Sequence, residues 1–385
     1  MKNVYLDNAA STAMDERVIK EIMPFFRDEA ANPSSMHSKG KKAHKVLEKA
    51  RADIASCLNA EPDEVIFTSS GTESNNWAIK GVAFANRKKG NHIITSAIEH
   101  ECVINSCRWL EEQDFEVTYL PVAPDGLIDP EKVNECIRPD TVLVSIMHVN
   151  NEIGVIEPIQ EIGSLCREKE IYFHTDACQS FGKIPFDVEK SNVDMATINA
   201  HKIHGPKGVG ALYVRRGVNI TPWQHGGGQE FGMRSATENV PGIVGFAKAA
   251  KICNEEMFAE MNRLIPLRDK IIATVLEKIP AAYLNGHRQI RIPNNINFGF
   301  QGFEGQAPNL LIALDEMGIS VSLGSACSSR KKSSHVLLAI GRNPVQAIGA
   351  LRISMGRFTS KADIDYFLSV LPDAMKKLRS IFPNK

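Results

Sequence analysis

Asn199-Ala200-His201-Lys202-Ile203-His204-Gly205-Pro206-Lys207-Gly208-Val209-Gly210 stands between two apolar runs, Val193–Ile198 and Val209–Val214. Glycine and proline set the backbone just after the lysine, so the pattern offers an amine in a turn inside a sheet-like frame. A desolvated lysine near other cations loses part of its proton and becomes a nucleophile able to hold a carbonyl compound as a Schiff base. Most lysines are solvated. Taken alone, a surface lysine in an ordinary hairpin is the commoner outcome, and the flanking chain has to decide.

Outward from this stretch, strands and helices alternate. The periodicity predicts strands at Val65–Thr68, His92–Thr95, Phe115–Leu120, Val142–Met147 and Ile171–His174. Between them it predicts helices at Thr72–Ala85, His100–Glu112, Pro130–Ile137 and Ile159–Lys169. Such alternation argues for an α/β fold with a mostly parallel sheet, whose ligand sites lie at the carboxyl ends of the strands. Ahead of it, Val4–Leu6 reads as an extended arm, a helix spans Asp15 to about Phe26, and Ser38 is placed to cap a long helix. Past Arg216 the pattern changes. Pro241–Lys278 reads as mostly helical with a break at Pro266, a bridge to a compact α+β C-terminal domain.

A chain of 385 residues suits one large domain with a smaller partner. Its 45 basic and 45 acidic side chains balance, which removes the electrostatic case for nucleic acid or an anionic membrane. The eight cysteines show no paired metal-ligand spacing, so free thiols in a reducing compartment are expected. With no signal-peptide core and no membrane-length apolar run, a soluble cytoplasmic protein is expected.

Several residues converge on one sheet edge. Thr68-Ser69-Ser70-Gly71-Thr72 joins a strand to a helix start, where free N–H groups and hydroxyls suit a phosphate, although simple N-capping by Ser70 or Thr72 explains it equally. Asp176, just past a central strand, needs a cationic or donor partner. A pyridinium nitrogen would serve, and so would the amides of a helix it caps. His100 and Asn151 also follow strands, and Gln179 follows Asp176. Phosphate cradle, stacking ring, acid for a ring nitrogen and Schiff-base lysine are together what pyridoxal 5'-phosphate requires.

A second centre lies at Gly324-Ser325-Ala326-Cys327-Ser328-Ser329-Arg330-Lys331-Lys332. Small residues before the thiol and basic ones after it predict a flexible, exposed, positive loop that favours thiolate. The other cysteines read as buried apolar residues, with Cys178 left open by its place between Asp176 and Gln179. Arg352 alternates with apolar neighbours in a strand. It must find an anion, either a substrate carboxylate or an internal Asp or Glu.

These motifs carry a family resemblance. Tyr5-Leu6-Asp7-Asn8-Ala9-Ala10, Asn32-Pro33-Ser34-Ser35-Met36-His37, Gly71-Thr72-Glu73-Ser74-Asn75-Asn76, His148-Val149-Asn150-Asn151-Glu152-Ile153-Gly154, His174-Thr175-Asp176, His201-Lys202, His225-Gly226-Gly227-Gly228-Gln229-Glu230 and Gly324-Ser325-Ala326-Cys327 stand in one order. In that order the chain resembles, nearly end to end, the cysteine desulfurases of the iron–sulfur-cluster and nitrogen-fixation type. These belong to the class V aminotransferase group of fold type I pyridoxal phosphate enzymes.

The resemblance implies a large domain over residues 15–255, with a mostly parallel seven-stranded sheet between helices. It implies a smaller α+β domain from residues 1–14 and 256–385 that carries the cysteine loop. It implies that Lys202 binds the cofactor covalently, Asp176 pairs with the pyridine nitrogen, His100 stacks on the ring, and Asn151 and Gln179 bond near its oxygen and the substrate. Gly71, Thr72 and His201 belong to the phosphate site, with Thr237 reaching the phosphate of the neighbouring subunit in a homodimer. Arg352 would hold the carboxylate of L-cysteine.

Cys327 would take the sulfur as a persulfide, leaving L-alanine, and pass it to an iron–sulfur scaffold or a tRNA-thiolation relay. No resident metal is implied, although Cys327 could transiently ligate an iron–sulfur cluster. A selenocysteine lyase or another class V reaction is the alternative. Two departures stand out: Asn199 replaces a usual serine, and the segment after Cys327 lacks the usual Leu-Glu-Pro-Ser.

Overall fold

The computed structural model describes residues 3–279, 281–303, 305–323 and 333–381. Its centre is a seven-stranded sheet in the order Val65–Thr68, Gly210–Val214, Met195–Asn199, Tyr172–Asp176, Thr141–Ser145, His92–Ser96, Glu116–Leu120. Gly210–Val214 runs antiparallel to both neighbours, and the other pairings are parallel. This antiparallel insertion follows from the short connection through Lys202, which is too brief for the crossover that a parallel return needs.

Successive residues of each strand point to opposite faces. Ile66 and Leu143 enter a core with Trp77 and Val82 of helix Gly71–Ala85 and Leu110 of helix Glu101–Glu111. Phe67 and Val144 enter the opposite core, with Ile54 of helix Ser38–Leu58 and Phe246 of helix Val240–Lys278. His37, rather than Ser38, caps Ser38–Leu58, its Nδ1 accepting from the Gly40 amide at 3.2 Å.

Val240–Lys278 is one helix of 39 residues, roughly 58 Å long at the α-helical rise, and the expected break at Pro266 does not occur. Its first half packs Ile243, Phe246 and Ala250 into the large core, and its second packs Leu264, Ile271 and Val275 into another. Burial at both ends outweighs the lost hydrogen bond. The second core gathers under a three-stranded antiparallel sheet of Leu351–Ser354, Asn295–Phe300 and Ala282–Asn285, with helices Ala307–Glu316 and Lys361–Ile381. A short helix at Pro344–Ile348, opened by an Asn343–Gln346 capping box, had no sequence expectation. Among the described residues no helix is long and apolar enough to cross a membrane.

The N-terminal arm joins the two parts. Val4–Tyr5 pairs in parallel with Ile319–Ser320. Farther along, the Asn8 side-chain amide donates to the Ser354 carbonyl at 2.9 Å and the Ala9 amide to Ser354 Oγ at 2.8 Å. The next few residues then reach the Lys202 turn.

Candidate active site

The Lys202 turn is pinned by that arm. The Thr12 amide and hydroxyl both donate to the His201 carbonyl, at 3.0 and 2.9 Å, and the His204 amide donates to Thr12 Oγ1 at 2.8 Å. His204 takes a left-handed backbone, φ 64°, which closes the turn. Lys202 Nζ donates to the Ala9 and Ala10 carbonyls at 2.5 and 2.7 Å, on the wall of a cavity of about 280 Å³.

Asp176 ends its strand on the same wall and is buried. Its Oδ2 accepts from Asn75 Nδ2 at 2.7 Å and its Oδ1 from the Cys178 amide at 2.9 Å, so it both closes the following turn and presents a carboxylate held by neutral donors. His100 caps helix Glu101–Glu111, its Nδ1 accepting from the Cys102 amide at 3.2 Å. That bond leaves the proton of the neutral ring on Nε2. Burial lowers the affinity of His100 for a second proton, and Lys202 adds to the effect.

Gly71 opens helix Gly71–Ala85, and Ser70 Oγ caps it by accepting from the Glu73 amide at 3.1 Å. A Cβ on Gly71 would stand 2.6 Å from Cys178 Sγ and 3.2 Å from Asn199 Nδ2. Thr72, Gln179, Asn151, His201 and Arg352 line the same cavity. Burial, with the charges of Lys202, Lys183 and Lys207, holds His201 down at about 4. That corner is electropositive.

Arg352 is buried and makes the internal ion pair that the sequence left open. Its NH2 lies 2.9 Å from Asp7 Oδ1, and its NH1 donates to the Asn151 carbonyl at 3.1 Å. Thr237 is exposed and does not line the cavity. Cys327 lies outside the described residues.

The cavity also holds residues the sequence reading did not single out. Asn75 recurs one helical turn after Gly71, a spacing that puts both on one face. Cys102, Glu152 and His335 carry no comparable signal. Glu152 is buried, accepts from Ser334 Oγ at 2.5 Å, and is pushed up by burial. Cys102 is pushed up to about 12 and Cys178 is also pushed well up, in both cases mainly by burial, so the two thiols of the cavity stay protonated.

Asn75, Asn151 and Asn199 each leave a buried Oδ1 without a partner among the described residues. All three line the cavity. Open acceptors, a carboxylate, an amine and an electropositive helix start suit a ligand with a protonated ring nitrogen, a carbonyl and an anionic tail.

The sequence model of the class-V aminotransferases matches residues 4–367. Cysteine desulfurase IscS of Dictyoglomus turgidum (strain DSM 6724 / Z-1310) is 50% identical over 385 residues, covering 100% of this chain and 97% of that one. Among solved structures, a NifS-like protein is 40% identical with a TM-score of 0.92, covering 98% of this chain and 100% of the other. SspA in complex with cysteine is 38% identical with a TM-score of 0.82, covering 93% and 100%. The chain belongs to the class-V aminotransferases and, within them, to the cysteine desulfurase family. Its architecture is accordingly that of a fold type I enzyme.

Proposed function

We propose that this enzyme is a pyridoxal 5'-phosphate-dependent cysteine desulfurase, converting L-cysteine to L-alanine and taking the sulfur onto Cys327. The observation that carries this is the meeting of Lys202, Asp176, His100 and the start of helix Gly71–Ala85 at one cavity. Lys202 would hold the cofactor aldehyde, Asp176 its ring nitrogen, and His100 one face of its ring. Gly71, Thr72 and His201 would surround its phosphate, and Gln179 and Asn151 would flank its ring oxygen. When bound, the cofactor supplies an electron sink that labilises bonds at and beyond the amino acid's α-carbon.

The residues of the chain do the rest. Arg352, beside Asp7, orients the substrate carboxylate. Lys202 Nζ takes the Cα proton. The Cys327 thiolate attacks the substrate sulfur: an S–S bond forms, the C–S bond breaks, and its electron pair stays with the three-carbon fragment. That fragment takes a proton at its β-carbon with help from His100, regains the Cα proton from Lys202 Nζ, and leaves as alanine. The protonated state of Cys102 and Cys178 favours Cys327 as the sulfur acceptor.

The persulfide passes to an iron–sulfur scaffold or a tRNA-thiolation relay in the cytoplasm. A homodimer would bring Thr237 to the partner's phosphate. The test is alanine and sulfide release from L-cysteine with a thiol reductant. Wild type yields both in equal amounts and Cys327→Ala yields neither, while Lys202→Ala loses absorbance that borohydride bleaches. An unchanged rate in Cys327→Ala overturns the sulfur-transfer step.

A further inference from the structure

Lys202 lies in the walls of two cavities. Besides the one described, a second of about 50 Å³ is lined by Lys202 with Lys183, Thr12, His204 and Cys253. Lys183 follows Gln179 by four residues, in the turns after strand Tyr172–Asp176. Its Nζ donates to Gln179 Oε1 at 3.3 Å. Gln179 Nε2 in turn donates to the Ala9 carbonyl at 3.0 Å, the same oxygen that accepts from Lys202 Nζ at 2.5 Å. Two amines are therefore joined through one amide side chain and one carbonyl.

Charges of both signs surround this pair, Glu101 and Glu152 of the first cavity among them. Arg352 and Lys202 both act on Lys183, while the nearby thiols Cys178 and Cys253 are held protonated by burial. Arg357 and Glu260 line the second cavity, and Asp176 lines the first. Burial and the Lys202 charge bring the Lys183 amine down to about 7. His201 and His204 also respond to Lys183, and both are held at about 4, chiefly by burial. Like charges confined together compete for protonation.

We propose that Lys183 is a positioning residue for Lys202: through Gln179 and the Ala9 carbonyl it fixes the direction of the Lys202 amine. While Lys183 is itself protonated, the two like charges also compete, so each eases the loss of the other's proton. The inference rests on Lys202 being the reactive amine of the proposed function. It gives that amine a dedicated partner outside the ligand cavity.

The test measures the Lys202 amine directly. The full-length chain without cofactor is labelled with trace acetic anhydride between roughly pH 6 and 10, and Lys202 modification is followed by peptide mass. Lys183→Met is expected to lower Lys202 labelling by up to about tenfold below about pH 7, where Lys183 carries its charge, and to leave the profile above that little changed. Lys183→Arg, which keeps a permanent charge, is expected to hold the profile at or below that of wild type. A Lys183→Met profile that superimposes on wild type overturns the proposal. If that variant does not melt cooperatively, Lys183→Arg decides, and a profile raised above wild type overturns it. Because the readout needs no cofactor, the functional reading fails separately: added pyridoxal 5'-phosphate would then give no borohydride-sensitive absorbance while the profile still shifted.

Discussion

Arg352 and Asp7, 345 residues apart in the chain, meet at 2.9 Å on the edge of the cavity. Only 2% of the arginine side chain and 20% of the aspartate is exposed, so Asp7 is the anion that keeps the guanidinium tolerable in a buried position. A substrate carboxylate must share the guanidinium with it. Asp7→Asn is therefore expected to lower KM for L-cysteine several-fold while costing roughly 1–3 kcal/mol of stability. Arg352→Ala is expected to raise KM at least about tenfold. Steady-state kinetics beside urea unfolding separates the two effects, and an unchanged KM in Asp7→Asn would confine Asp7 to a structural part.

Glu99 predicts a pH dependence of opposite sign to that of the buried histidines. Its Oε1 accepts from Ser96 Oγ at 2.6 Å and the Met147 amide at 2.9 Å, while its Oε2 has no partner among the described residues. Burial raises it to about 8. In the unfolded chain a glutamate ionises near about 4.3, so between that point and 8 the folded state binds the extra proton and stability falls as pH rises. Glu99→Gln mimics the protonated acid. It is expected to match wild type at about pH 4 and to exceed it increasingly up to about pH 8, read as urea midpoints. His148 at about 3 and His174 at about 4 are depressed by burial, so their contribution is lost as pH falls below about 6.5.

Arg51 and Glu230 make a pair buried on both sides, 2.7 Å apart. Glu230 Oε2 also accepts from the Phe67 amide at 2.7 Å, and Arg51 NH1 donates to the Val65 carbonyl at 2.7 Å. The pair thus ties helix Ser38–Leu58 and the strand that leads to Gly71 to the glycine-rich segment near Gly228. Removing one partner strands a buried charge, so Arg51→Met or Glu230→Gln should each cost about 3–5 kcal/mol. The double variant should cost less than the sum of the two. Additive losses in denaturant titrations would show that the pair does not act as a unit.

The alternation of elements was legible because each buried strand is a short apolar run and each helix repeats its apolar residues at its own period. Strand order was not, because nothing local says that Gly210–Val214 inserts beside Val65–Thr68. Pro266 misled for a related reason: a helix-interior proline disfavours the helix by about 3 kcal/mol, and only the packing of Leu264, Ile271 and Val275 shows that tertiary burial offsets it. The motifs that name Lys202, Asp176 and His100 are local in sequence, so those residues could be singled out. Their partners could not. The Asp7–Arg352 pair, the Asn75 bond to Asp176 and the link from Lys183 to Lys202 through Ala9 exist only once distant segments pack.

Gly71 offers the sharpest steric test of the cavity. A Cβ there would stand 2.6 Å from Cys178 Sγ, closer than real Cβ contacts allow, and 3.2 Å from Asn199 Nδ2. In Gly71→Ala one of these side chains must move, and both line the proposed phosphate end. Cofactor affinity is expected to fall at least about tenfold, roughly 1.4 kcal/mol, with little change in the melting temperature of the cofactor-free protein. Cys178→Ala removes the sulfur that the new methyl meets, so the double variant should regain most of the affinity, measured by titrating the absorbance of bound pyridoxal 5'-phosphate. If it regains none, the glycine is needed for a close approach of backbone to ligand, and the crowding by Cys178 is not what excludes a side chain there.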